Sequence, residues 1–208
     1  MKKVLQILLA ALILIGGILQ VCAAKEISTV DAERKNYHWT WLGKAPLTDK
    51  QIDAILAMEK GTRPDPRTYL TLRYIVGHLN KFRKDGVSMI MSRESYEKLV
   101  VPFETIGMDD GCFVMPKYVC DDIAAAANGN IAVFELALSY DVGYFSEHGG
   151  MVRIDVPDVQ GLNLRIPSGN EDDANSYWLP GGYTQGGVPE AIINKFPKFR
   201  AVITEDFK

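Results

Sequence analysis

The residues best placed to do chemistry lie in one stretch, Trp178 to Ile193, "WLPGGYTQGGVPEAII". Glycines and prolines surround Tyr183, Thr184 and Gln185, and the run closes on one acid, Glu190, ahead of an apolar segment. Glycine lets the backbone reach positive φ and approach a ligand closely. Long loops on a rigid scaffold often carry function. Tyr183 offers a ring for stacking, Thr184 a hydroxyl and Gln185 an amide. A carboxylate held where a strand begins could steady a developing positive charge or orient a hydroxyl. Two plainer readings compete: an exposed strand-edge acid, or a first-turn acid in a helix opened by Pro189.

A second polar group lies upstream in "NLRIPSGNEDDANSYW", with Arg165, Ser168, Asn170, Glu171 and Asn175. One cation among hydrogen-bonding groups suits a polar-substrate cleft, although "SGNEDD" also reads as a solvated loop. Arg93 follows the first strand, and Arg153 lies inside "MVRIDV". A strand arginine points to water or to a partner, and could grip a phosphate or carboxylate bidentately. His38, His78 and His148 are far apart, no metal-binding spacing is present, and no metal is expected. Phosphate-loop, nucleophile-elbow and calcium-loop motifs are absent from the sequence.

These groups need a scaffold. Residues 1–24 read as a cleaved secretory signal: Lys2 and Lys3, an apolar run from Val4 to Leu19, then "CAA" at Cys22 to Ala24. The run is short for a bilayer span, so stable membrane insertion is not expected after cleavage, and the protein is expected in the periplasm or outside the cell. Without Lys2 and Lys3 the 23 basic residues fall to 21 against 26 acidic, a net charge of −5. That balance disfavours nucleic acid as a partner. Export leaves Cys112 and Cys120, which form either a disulfide or two buried thiols.

Residues 25–47 read as an arm and 48–208 as a single α+β domain, with a helical part at 48–86 and a sheet part at 87–208. Thr48 and Gln51 form a capping box before one helix. Asp65 and Pro66 open a second, which the apolar spacing carries towards Gly86. Strands are predicted at "VSMIMS", "CFVMP", "MVRIDV", "LNLRIP", "EAII" and "FRAVIT". Helices are predicted at "RESYEKLV", "KYVCDDIAAAA" and, by its flanks, "IAVFELALSY". Helices first and strands later argue for α+β with a mainly antiparallel sheet.

From Val87 to Thr204 the order "VSMIMSRESY", "DDGCFVMPKYVCDD", "GGMVRIDV", "LNLRIPSGNEDDAN", "WLPGGYTQGGVPEAII", "FPKFRAVI" resembles the terminal toxin modules of bacterial polymorphic toxins, and within them ADP-ribosyltransferase-like domains. The resemblance implies a strongly curved sheet and NAD as substrate. It implies Glu190 as the catalytic acid, steadying an oxocarbenium-like ribose as nicotinamide leaves. Tyr183 and Gln185 would meet nicotinamide or the target, and Arg93 would bind the dinucleotide phosphates. "FVMP" stands where such domains carry Ser-Thr-Ser, and Val188 stands where they carry an acid or glutamine, which favours NAD hydrolysis or an acceptor other than arginine. The expectation is a secreted effector that cleaves the nicotinamide–ribose bond, with an unidentified acceptor and a possible cognate inhibitor protein. The alternatives are a ribonuclease toxin using His148, Arg165 and Thr184, with nucleic acid as its partner, and a non-catalytic exported binding or immunity module.

Overall fold

The computed structural model describes residues 42–207. Residues 1–24, read above as a secretory signal, and most of 25–47, read as an arm, lie outside the described residues. Thr48 caps helix α1 (Asp49–Leu56), and the reciprocal bond to Gln51 completes the capping box. The expected second helix is broken. Asp65 and Pro66 start a single 3₁₀ turn (Pro66–Thr68), Thr71 caps helix α2 (Leu72–Leu79), and a 3₁₀ turn (Asn80–Arg83) follows. The break falls where Thr71 caps the new helix through its bond to the Tyr74 amide, a local stop that apolar spacing does not reveal.

Then come strand β1 (Val87–Ser92), helix α3 (Arg93–Leu99), and strands β2 (Thr105–Ile106) and β3 (Cys112–Pro116). Helices α4 (Lys117–Ala127), α5 (Ile131–Leu138) and α6 (Tyr144–Glu147) lead to β4 (Met151–Val156). Strands β5 (Ala191–Ile193), β6 (Phe196–Pro197) and β7 (Val202–Phe207) close the chain. Asn128, left-handed at φ 45°, ends α4. The segment "LNLRIP" is not a strand; it touches the sheet through a single bridge, Arg165 to Ile192.

The main sheet runs β5-β3-β1-β4-β7, antiparallel at every junction, and β2 pairs with β6 in a separate ribbon. This is a mixed α+β fold with an antiparallel sheet. Alternation along the strands divides the side chains between two faces. Val87, Met89, Val114, Cys112, Val152, Ile154, Ala191 and Ile193 belong to one core with Leu79 and Phe82 of the helical part. The opposite face carries Ser88, Arg153 and Asp155. Helix α4 packs there against β1 and β3, and α5 packs on α4. Arg153 is buried on that face, its charge met by Asp155 (2.7 Å) and Asp121 (2.6 Å) and its Nη2 reaching Ser88 Oγ (3.3 Å). Its partners are therefore internal.

The ladder between β1 and β3 is brief. Val87 pairs with Pro116 and Ser88 with Met115, and no further pair joins them among the described residues. On its other edge β1 pairs with β4 along all six residues. The sheet is thus split between β1 and β3, and the split is the architectural origin of the cleft described next.

Candidate functional site

A cleft of about 630 Å³ opens where β1 and β3 part, with Met89, Ile90 and Met91 on one side and Cys112, Phe113 and Val114 on the other. Its volume is in the range of small-molecule sites. Tyr140, Tyr144, Tyr177 and Trp178 supply aromatic walls, and Glu190, Asp173 and Asp109 supply carboxyls. Lys195 alone among the lining residues is a lysine or arginine, and it is paired with Asp109.

The glycine-rich stretch is a docked hairpin rather than a free loop. Tyr183 bridges Pro189, the Glu190 amide donates to Gly182 O (2.8 Å), and the Thr184 amide donates to Val188 O (3.0 Å). Gly187, at φ +83°, lets the chain turn, and its amide donates to Thr184 O (2.9 Å). The turn is fastened to the end of α5: Thr184 Oγ1 donates to Ala137 O (2.8 Å), and the Gly186 amide donates to Ser139 Oγ (3.2 Å). A side chain at Gly186 would collide with the Ala137 carbonyl.

That fastening positions Glu190 immediately before β5. It is neither a helix-start residue nor a freely exposed edge acid. Its carbonyl accepts from His78 Nε2 (3.0 Å), while its carboxyl has no hydrogen-bond partner among the described residues. Glu190 lines the cleft and is half-buried, reached by water yet surrounded by protein. Loss of hydration, reinforced by the charge of Glu171, pushes its carboxyl up to about 8. His78 itself is buried among Tyr74, Phe82 and Tyr183, and burial lowers it to about 4, so it stays neutral near pH 7.

The aromatic wall comes from the end of α5 and from α6. Tyr140 stacks on Tyr144 with ring centroids 4.7 Å apart, and Tyr144 stacks on His148 at 4.4 Å. Buried Glu135 holds this corner, accepting from the amides of Gly143 (2.8 Å) and Phe145 (2.9 Å). Burial and the nearby Tyr144, Glu190 and Asp173 raise the Tyr140 hydroxyl well above the ordinary tyrosine range. The third wall, residues 173–178, rests on α1 through Ala174 and Trp178, which pack with Ile55.

Most of the other expected site residues are placed elsewhere. Tyr183 leaves the cleft: its hydroxyl accepts from Lys81 Nζ (2.6 Å) and its ring abuts His78. Thr184 lines the cleft, but both its bonds are structural. Gln185 is exposed at the turn. Arg93 is engaged by Glu205 (3.2 Å) and Asp206 (2.9 Å), tying α3 to β7 outside the cleft. Arg165 is spent on Asn163 O, Asn194 Oδ1 and Asp110 O. Ser168 and Gly169 donate to Glu171, and Asn170 ties the loop to Gly61 and Arg63, so of the second polar group Asn175 alone lines the cleft. His148, Arg165 and Thr184 make no common cluster.

Cys112 and Cys120 are free, buried thiols, so the disulfide alternative is corrected. They lie on opposite faces of the sheet, Cys112 in the main core beside Ile193 and Cys120 near Ser88 and Arg153. Burial pushes both thiols up to about 12.

Sequence reasoning missed Tyr140, Tyr144, Asp173, Tyr177 and Trp178. The run "DANSYW" carried a faint signal of polar and aromatic groups together, whereas "LSY" read only as the end of a helix. No group of side chains among the described residues is arranged to hold a metal ion. The sequence matches no protein-family model, and no curated protein matches it.

Proposed function

We propose that the protein is an exported enzyme, acting as an effector or toxin, that uses NAD and breaks the bond between nicotinamide and ribose at an ADP-ribosyltransferase-like, curved sheet. The observation that carries this reading is Glu190: a carboxyl without a hydrogen-bond partner among the described residues, lining an aromatic-walled cleft. The nicotinamide ring of NAD is flat and positively charged. Tyrosine faces attract such a ring, and nearby carboxylates complement its charge. When the bond breaks, positive charge moves onto the ribose, and an ionised Glu190 is placed to stabilise it more strongly than the ground state. A cationic ring entering the cleft also favours ionisation of Glu190.

The same geometry narrows the substrate contacts. Neither Arg93 nor Arg165 lines the cleft, so phosphate binding by arginine is not part of the proposal. Lys195 is the lining cation, and its ion pair with Asp109 would have to open for it to meet a phosphate. Three lining carboxyls against that one cation make the ribonuclease alternative the weaker reading, since RNA presents a negative backbone. A cognate inhibitor, if the protein has one, would cover the mouth of this cleft.

The test is NAD consumption by the purified protein and by Glu190→Gln, with released nicotinamide quantified. Turnover by the wild type and its loss in the variant support the reading. Equal turnover by both removes Glu190 from the chemistry, and absence of turnover by a folded wild type refutes the NAD assignment.

A further inference from the structure

Asp173 is presented to the cleft in a way that a merely structural acid does not require. Its two neighbours are pinned. The Asp172 amide donates to Asp110 Oδ2 (2.6 Å), and the Ala174 amide donates to Glu171 O (2.9 Å). Lys60 Nζ donates to both flanking carbonyls, Asp172 O (2.8 Å) and Ala174 O (3.0 Å). Ala174 and Trp178 then fix the segment on α1. Between these anchors the Asp173 carboxyl has no hydrogen-bond partner among the described residues, and it lines the cleft while open to solvent. Nearby Glu171 contrasts with it, since both its oxygens are consumed by loop amides and Ser168. Asp173 and Glu190 line the same cleft, together with Tyr140.

We propose that Asp173 is the general base that takes a proton from the water attacking C1′ of the ribosyl group, so that water is the acceptor of the reaction. The inference rests on the NAD reading given above. The oxygen of water forms a bond to C1′, and the bond from C1′ to the pyridinium nitrogen breaks with its electron pair passing to nicotinamide. One proton of the water passes to Asp173 and then to solvent. The products are nicotinamide, ADP-ribose and one proton, and nothing is oxidised or reduced. Loss of hydration and the charges of Asp110 and Asp172 raise the Asp173 carboxyl above the ordinary range, which brings its basicity nearer to neutral pH. Its solvent-open position supplies the water, and Glu190, deeper in the cleft, faces the developing charge.

The experiment compares the full chain with Asp173→Asn, measuring nicotinamide release from NAD with and without sodium azide. Azide attacks without needing a proton removed. The expected result is hydrolysis slowed about 100-fold or more in the variant, the scale of general-base catalysis. Azide should restore release to within about tenfold of wild type and yield ADP-ribosyl azide, an effect that a structural role cannot produce. A denaturation midpoint that is unchanged or raised shows that the variant is folded, since the Asp173 carboxyl makes no hydrogen bond among the described residues and loses hydration on folding. Hydrolysis within about threefold of wild type, absence of the azide product, or a collapsed midpoint each overturns the assignment. A wild type that releases no nicotinamide refutes the NAD reading itself, and the Asp173 role falls with it. An active wild type with an unaffected variant sinks only the Asp173 role.

Discussion

Replacing Glu190 by glutamine should make the protein more stable, and by an amount that grows with pH. The carboxyl is held at about 8 in the folded protein against 4.5 ordinarily. Between those values the folded state keeps a proton that the unfolded state has released. Raising the pH through this window therefore erodes the stability of the wild type, and the loss is complete only above about 8. At ~1.4 kcal/mol per pH unit the full span amounts to about 4–5 kcal/mol for a group wholly cut off from water. Water reaches this half-buried carboxyl, so about half of that is a fairer expectation. Glutamine has nearly the same shape and no charge to desolvate. The predicted gain is near zero at about pH 4, about 2 kcal/mol at about pH 7, and largest at about pH 9. For a domain of this size that corresponds to a Tm rise of roughly 4–8 °C at neutral pH. Urea denaturation of both proteins across this pH range measures it. A difference that does not vary with pH, or a glutamine variant that is less stable throughout, would refute the claim that protein surroundings hold this carboxyl protonated.

If ionised Glu190 performs the chemistry, kcat/KM for nicotinamide release should rise with pH towards a plateau above about 8, since that parameter reports the free enzyme; a flat profile between about pH 6 and pH 9 would contradict this. Glu135→Ala should cost about 2–4 kcal/mol in denaturant titrations, because it strands the half-buried amide of Gly143 and the buried amide of Phe145, and it should loosen the Tyr140–Tyr144 wall. Asp155→Ala should cost about 3–5 kcal/mol by removing one partner from buried Arg153, whereas a cost below about 1 kcal/mol would show that Asp121 alone suffices. Arg93→Ala should leave NAD turnover within about threefold of wild type, since surface ion pairs contribute little and Arg93 does not line the cleft. Alkylating reagents should leave Cys112 and Cys120 unmodified in the native protein and label both in denaturant, as peptide mass analysis would report.

The site shows where linear reasoning succeeds and where it stops. Glu190 stands out in the chain because the turn residues around it are unusual, and the structure places it just before a strand and inside the cleft. Tyr183 shares the same loop yet points the other way, because the hairpin alternates its side chains across the Tyr183–Pro189 bridge and Lys81 and His78 receive the tyrosine. Arg93 and Arg165 drew attention as free cations. Partners of the two lie 112 residues away in Glu205 and 55 residues away in Asp110, separations that no local pattern encodes. Asp173 looked like one acid in a solvated run. Only the bonds from Lys60 and Asp110, which arrive from distant segments, distinguish it from Asp172 beside it.

Short-range physics was written in the chain itself. The capping box at Thr48, the left-handed stop at Asn128 and the turn between Met108 and Gly111 depend on neighbours within a few residues, and the α+β class followed from the order of the elements. Tertiary structure decided the rest. The early parting of β1 and β3, the opposite faces of Cys112 and Cys120, and the meeting of residues from 88 to 195 in one cleft depend on contacts between remote segments. Such contacts form only after the loops between them have closed. Their energies depend on burial and on partners that a one-dimensional pattern does not contain.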